Sequence, residues 1–193
     1  SHCHADHCAD LFTLYVALRY RMEGALRKPL WAPREVWGTL PRFLDPSGAG
    51  AMKVEEAFDF HPLEDGGEAD VLGVRFRCAR TAHPVETLAL RAEAQGKVVA
   101  YSADTGPAAD LLGLARGADL FVCEACYQDA AMGAPVHLSA RQAADLARRA
   151  GVRELALTHV WPALDPRVSL TEARDAAGDV RVELAQAGRV FEI

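Results

Sequence analysis

The run Ser1-His2-Cys3-His4-Ala5-Asp6-His7 sets three histidines and an aspartate within six residues, with only small residues between them. A surface loop has little structural use for such a cluster, because each imidazole gives up packing and the carboxylate draws in charge. A bound metal uses all of them. Residues two apart in an extended segment point the same way, so His2 and His4 can grip one ion. Asp6 and His7, at the turn into a following helix, then face a second. Two adjacent metals are the natural reading, and the rest of the chain must fold so as to complete their shells.

Four later residues share one local setting. The apolar run Val98-Val99-Ala100-Tyr101 reads as a buried strand and ends in Ser102-Ala103-Asp104-Thr105-Gly106. Leu155-Ala156-Leu157-Thr158 reads likewise and ends in His159. His83 follows the strand-like Leu72–Cys78 segment, and His137 closes the loop after Leu120-Phe121-Val122-Cys123. Ligands just past the carboxyl ends of separate strands suit a site built on a sheet edge, since strands are rigid and their loops converge. Only His61 of the seven histidines lies outside this scheme, and it reads as an ordinary polar residue.

Taken together, the His2-His4-Asp6-His7 run, His83-Pro84, the Ser102–Gly106 turn, Cys123-Glu124-Ala125, His137-Leu138-Ser139 and Leu157-Thr158-His159 resemble the metallo-β-lactamase superfamily. The likeness is to its ribonuclease Z-like and phosphodiesterase branch, in the family's order across nearly the whole chain. The resemblance implies an α/β fold of the four-layer αββα sandwich type over a single domain, residues 1–193. It implies that His2, His4 and His83 hold one divalent ion, that Asp6, His7 and His159 hold a second, and that Asp104 bridges them. Nitrogen-rich ligation makes zinc the default, with manganese or iron fitting the same donors. In that family several strands precede the opening motif, so N-terminal strands are expected to be missing from this chain.

Composition fits an ordinary soluble enzyme, with a cytoplasmic location expected by default, having 50% hydrophobic and 25% charged residues over 193 positions. No apolar stretch reaches membrane-spanning length and the start carries no signal-peptide pattern. Five cysteines without a regular framework favour reduced thiols. Cys123-Glu124-Ala125-Cys126 has no second Cys-x-x-Cys partner and begins at a strand end, which argues against a redox or zinc-ribbon role. Cys3 and Cys8 read as spacers or packing beside the ligands.

A helix is expected around Leu11, Phe12, Tyr15 and Leu18, a short strand at Pro29–Ala32, and a helix over about 34–43. Residues 45–52 read as a loop, and alternation over Lys53–Cys78, broken at Asp65-Gly66-Gly67, as a strand hairpin. Pro107 suits the first turn of a helix carrying Leu111, Leu112 and Ala115 and ended by Gly117. Ser139 and Gln142 form a capping box for a helix with Ala143, Leu146, Ala147 and Ala150 on its apolar face. Ser169 and Glu172 repeat that signature before a helix ending near Gly178. Trp31 and Trp37 read as packing residues.

The chemistry expected is phosphodiester hydrolysis, with Asp6 orienting water as well as binding metal. By family resemblance His137 would protonate the leaving oxygen, with Glu124 orienting it. Arg141 is a further phosphate-contact candidate. Bacterial ribonuclease Z enzymes commonly carry an RNA-gripping arm between the motifs matched here by His83 and Asp104. That span is filled by a strand, the Gln95-Gly96 turn and another strand, and the net charge is −6. Small phosphodiesters such as cyclic nucleotides are therefore favoured over transfer-RNA precursors, with lactone or thioester hydrolysis as the other use of such a scaffold. The resemblance also allows a homodimer.

Overall fold

A computed structural model of the chain describes residues 1–24, 26–50, 52–129 and 132–193. They form two compact units, Ser1–Glu64 and Asp65–Ile193. Each combines strands with helices, the α/β class expected from the sequence.

The first unit runs α1 (Ala5–Cys8), α2 (Asp10–Arg19), β1 (Lys28–Pro33), α3 (Arg34–Leu44), a 3-10 turn (Val54–Glu56) and β2 (Phe58–Leu63). Tyr15 and Leu18 of α2, Val36 and Leu40 of α3, and Ala32 and Phe58 of the two strands form one buried cluster. Val36 and Leu40 are one helical turn apart, so a single stripe of α3 faces inward. The two tryptophans pack as expected: Trp37 stacks on Phe60 with centroids 4.7 Å apart, and Trp31 on His61 at 4.5 Å. His61 also lies 3.4 Å from an Asp59 carboxylate oxygen, which gives it a local role without any metal.

The expected hairpin over Lys53–Cys78 is corrected. β2 pairs in parallel with β1, from Lys28 opposite Phe58 to Pro33 opposite Leu63. The hairpin lies instead between β3 (Glu68–Val71) and β4 (Val74–Arg80). Its two-residue turn is Leu72-Gly73, with φ of 54° and 82°, the left-handed pair that matches strand twist. Alternation marks both stretches as strands but carries no information about their partners. Among described residues, 45–50 and 52 belong to no helix or strand, and Ala51 of that expected loop lies outside the described residues.

The second unit continues with β5 (Leu88–Ala94), β6 (Lys97–Tyr101), α4 (Leu112–Ala115), β7 (Leu120–Glu124), α5 (Ala140–Ala150), β8 (Glu154–Thr158), α6 (Pro166–Ala176) and β9 (Arg181–Leu184). Its sheet has the order β3-β4-β5-β6-β7-β8-β9. Pairing is antiparallel from β3 to β6 and parallel from β6 to β9. Two reversals make β4 parallel to β6, so the carboxyl ends of β4, β6, β7 and β8 share one edge.

Helix α5 packs on this sheet through Ala140, Ala143, Ala144, Ala147 and Ala150, all buried. Small side chains let the helix approach the strands closely. Leu146, assigned to that face from periodicity, is only partly buried. The Ser139/Gln142 capping box is fully formed and Gly151, with φ 64°, ends the helix.

Two helix starts are corrected. Pro107 sits in a turn ahead of α4, which is a single turn capped at its carboxyl end by buried Arg91, donating to the Leu114 and Arg116 carbonyls at 2.9 Å. Ser169 lies inside α6, whose N-cap is Asp165 followed by Pro166. The Ser169 hydroxyl accepts from Gln128 at 3.0 Å, and Glu172 accepts from the Asp129 backbone N–H at 3.0 Å. Both residues of the supposed capping box are thus engaged by a neighbouring segment.

Candidate metal centre

In the first unit the opening run is extended to His4 and then turns into α1, which carries Asp6 and His7. His2 is 1% exposed. Its Nε2 lies 3.2 Å from His4 Nδ1, and its ring centroid is 4.8 Å from that of His4 and 4.2 Å from that of His7. His7 Nε2 is 3.2 Å from Asp6 Oδ2. The His2 ring thus neighbours both others, and the separation into a His2/His4 pair and an Asp6/His7 pair is less sharp than extended geometry predicts. Cys8 Sγ donates to the Cys3 carbonyl at 3.5 Å, a packing role for both.

In the second unit the strand edge assembles the remaining residues. His83 follows β4, Asp104 follows β6, Glu124 ends β7 with His137 in the segment beyond it, and His159 follows β8. Asp104 is 2% exposed, and its Oδ2 is 3.9 Å from His83 Nε2 and 3.4 Å from His159 Nε2. His83 Nδ1 lies 3.2 Å from the Val136 carbonyl. A carbonyl can only accept, so Nδ1 carries a proton and Nε2 is the nitrogen toward Asp104, the one that would offer a lone pair in a neutral ring. A lone pair aimed toward a buried carboxylate is unfavourable unless a cation lies between them. The donor set therefore fits a metal.

The loop bearing Asp104 is pinned from several sides. Thr81 Oγ1 donates to the Asp104 carbonyl at 2.7 Å, Gly106 N–H to the Ala82 carbonyl at 2.9 Å, and Thr105 N–H to Glu124 Oε1. Ala103 and His159 adopt left-handed φ of 51° and 56°. Such backbone costs about 1–2 kcal/mol at a residue with a Cβ and persists where surrounding contacts over-determine it. Gly106 is required for space: a Cβ there would stand 2.0 Å from the Pro135 carbonyl oxygen. Gly106→Ala must displace the segment leading into His137, and we expect a loss of about 1–3 kcal/mol, read as a lower thermal midpoint. An unchanged midpoint would refute this.

His137 Nδ1 lies 3.0 Å from Glu124 Oε1, and Leu138 N–H donates to Glu124 Oε2 at 3.1 Å. Burial pushes the Glu124 carboxyl up to about 8, the Thr105 and Leu138 N–H bonds act against that, Asp104 raises it further and His159 lowers it. The His137 ring lies 5.3 Å from His83 and 5.1 Å from His159, with Tyr127 edge-on at 5.8 Å. Arg141 is tied to Asp129 at 2.6 Å on the surface, and it lines a cavity of about 490 Å³ shared with Thr105, Leu138 and Arg149.

Cys126 lies beside His137 and His159, with one ligand atom of each within 4.8 Å of the others. Sequence reading set it aside as half of a Cys-x-x-Cys pair. Its position just past β7, the setting shared by the other candidate ligands, was the available signal. Burial, then Glu124 and Asp104, push its thiol up to about 12. All five cysteines are free, as their number and spacing predict. Among described residues no helix is long and apolar enough to cross a membrane.

The family model described as "Beta-lactamase superfamily domain" matches residues 1–160. An uncharacterized protein of Mycobacterium tuberculosis is 36% identical over 196 residues, covering 100% of this chain and 71% of the relative. A ribonuclease Z of Clostridium perfringens is 27% identical over 179 residues, covering 90% of this chain and 46% of the relative. Among solved structures, the metallo-β-lactamase fold protein YhfI from Bacillus subtilis superposes with a TM-score of 0.82 at 23% identity, covering 100% of this chain and 75% of that one.

Proposed function

Since this chain belongs to the β-lactamase superfamily and has a metallo-β-lactamase fold with ribonuclease Z relatives, we propose that it is a dinuclear metal-dependent phosphodiesterase acting on small diesters such as cyclic nucleotides. In this reading the two units work as one hydrolase domain in the cytoplasm. His2, His4 and His83 hold one divalent ion, Asp6, His7 and His159 the other, and Asp104 serves both. The observation that carries it is the Asp104 carboxylate, faced within the second unit by Nε2 of both His83 and His159. Zinc suits the nitrogen-rich donors, with manganese or iron as alternatives.

When bound, two such ions lower the pKa of a water and polarise a phosphoryl oxygen. The chain's own residues do the rest. Asp6, next to His7 and largely exposed, orients the attacking water. His137 delivers a proton to the leaving oxygen from Nε2, because its Nδ1 is committed to Glu124. Glu124 positions that imidazole and is itself fixed by the Thr105 and Leu138 N–H groups. The neighbouring cavity, with Arg141 and Arg149 at its rim, has room for the organic part of a small diester.

The span between His83 and Asp104 supports small substrates over RNA. It holds β5, a two-residue turn and β6 with no inserted arm. Purified, metal-loaded protein should hydrolyse cyclic nucleotides with higher kcat/KM than precursor transfer RNA. A much larger value on the RNA would reverse the substrate assignment and point to ribonuclease Z activity through another surface, such as one formed in a homodimer.

A further inference from the structure

Cys126 has no part in the hydrolysis proposed above, yet it stands among two residues that do. It is fully buried two positions beyond β7, and its carbonyl accepts from Trp161 N–H at 3.1 Å, which fixes its backbone. One ligand atom each of Cys126, His137 and His159 fall within 4.8 Å of one another, close enough for all three to reach a common ion. The two imidazoles come from separate elements, His137 anchored by Glu124 and His159 at the end of β8. The other buried cysteine nearby, Cys123, is instead packed in the core with Phe121 and Leu157. Sulfur with two imidazole nitrogens is a donor set that selects soft or borderline cations such as cadmium or zinc over magnesium, calcium or manganese.

We propose that Cys126, His137 and His159 form an inhibitory site for a soft divalent cation, one that shares only His159 with the two working positions. The inference rests on the function proposed above, because the ion inhibits by taking two residues away from hydrolysis. As it enters, the Cys126 S–H bond breaks, a sulfur–metal bond forms and the proton passes to solvent, with no change in oxidation state. The ion claims the His137 nitrogen needed for proton delivery and draws His159 away from Asp104. Occupancy and turnover therefore exclude one another. The protein would be throttled by thiophilic metal in excess while remaining indifferent to hard cations.

The test is a titration of the holoprotein, already loaded with its working metal, with cadmium ion alone. Thiolate-to-cadmium charge-transfer absorption should grow to one equivalent while diester hydrolysis falls in parallel. Cys126→Ser should lose the absorption, keep its basal turnover, and need at least about tenfold more cadmium for half inhibition. Cys126→Ala repeats the test without a hydroxyl, and cadmium NMR of the unaltered protein should report one sulfur and two nitrogen ligands. Persistence of the absorption in Cys126→Ser, unchanged inhibition, or a resonance with no sulfur would overturn the proposal. Absence of any diester hydrolysis would instead defeat the phosphodiesterase reading, while absorption and NMR would still decide whether the site exists.

Discussion

Asp104→Ala should lower bound metal from two ions per chain to one and reduce diester turnover by about 10³, the equivalent of about 4 kcal/mol of lost transition-state stabilisation. The carboxylate is buried and faces Nε2 of His83 and of His159. In the proposed centre its removal would take away the negative charge that would let two cations lie about 3.5–4 Å apart. The fold should survive, because this loop is held by bonds that do not involve the side chain: Thr81 to the Asp104 carbonyl, and Gly106 to Ala82. Elemental analysis alongside kinetics separates metal loss from misfolding. Two ions retained with undiminished turnover would remove Asp104 from the bridging position.

His137→Ala should leave both ions in place and cut turnover by about 10²–10⁴ on diesters with poor leaving groups. The loss should shrink for a p-nitrophenolate ester, whose oxygen departs without a proton. Glu124→Gln should reproduce part of this pattern, because its amide presents a donor to a cluster that already supplies donors from Thr105 and Leu138. If His137 only binds phosphate, good and poor leaving groups should suffer alike, chiefly through KM. Loss of one ion in His137→Ala would place the residue in a coordination shell instead.

The candidate ligands could be picked out in the sequence because their chemistry is local. Three histidines and an aspartate in six residues have few other uses, and His83, Asp104 and His159 each follow an apolar run recognisable as a strand. The Ser139/Gln142 box was equally local, since both partners of its bonds lie within one turn. What failed depended on distant residues. The partner of β2 is β1, across α3, and no pattern within β2 encodes it. Ser169 looked like a cap until Gln128, far away in sequence, claimed its hydroxyl. Cys126 acquires its neighbours only when β7 and β8 pair side by side, with Glu124 opposite Thr158. The Glu124–His137 pairing was expected from family resemblance, while the clamp formed by the Thr105 and Leu138 N–H groups was visible only in the folded chain.

The most direct measurement of the central claim compares kcat/KM of the metal-loaded protein on a cyclic nucleotide with that on lactone and thioester substrates. A dinuclear phosphodiesterase with His137 serving the leaving oxygen should favour the diester, and its activity should vanish on chelation and return with zinc or manganese. Efficient lactone or thioester hydrolysis with background activity on every diester would contradict the account.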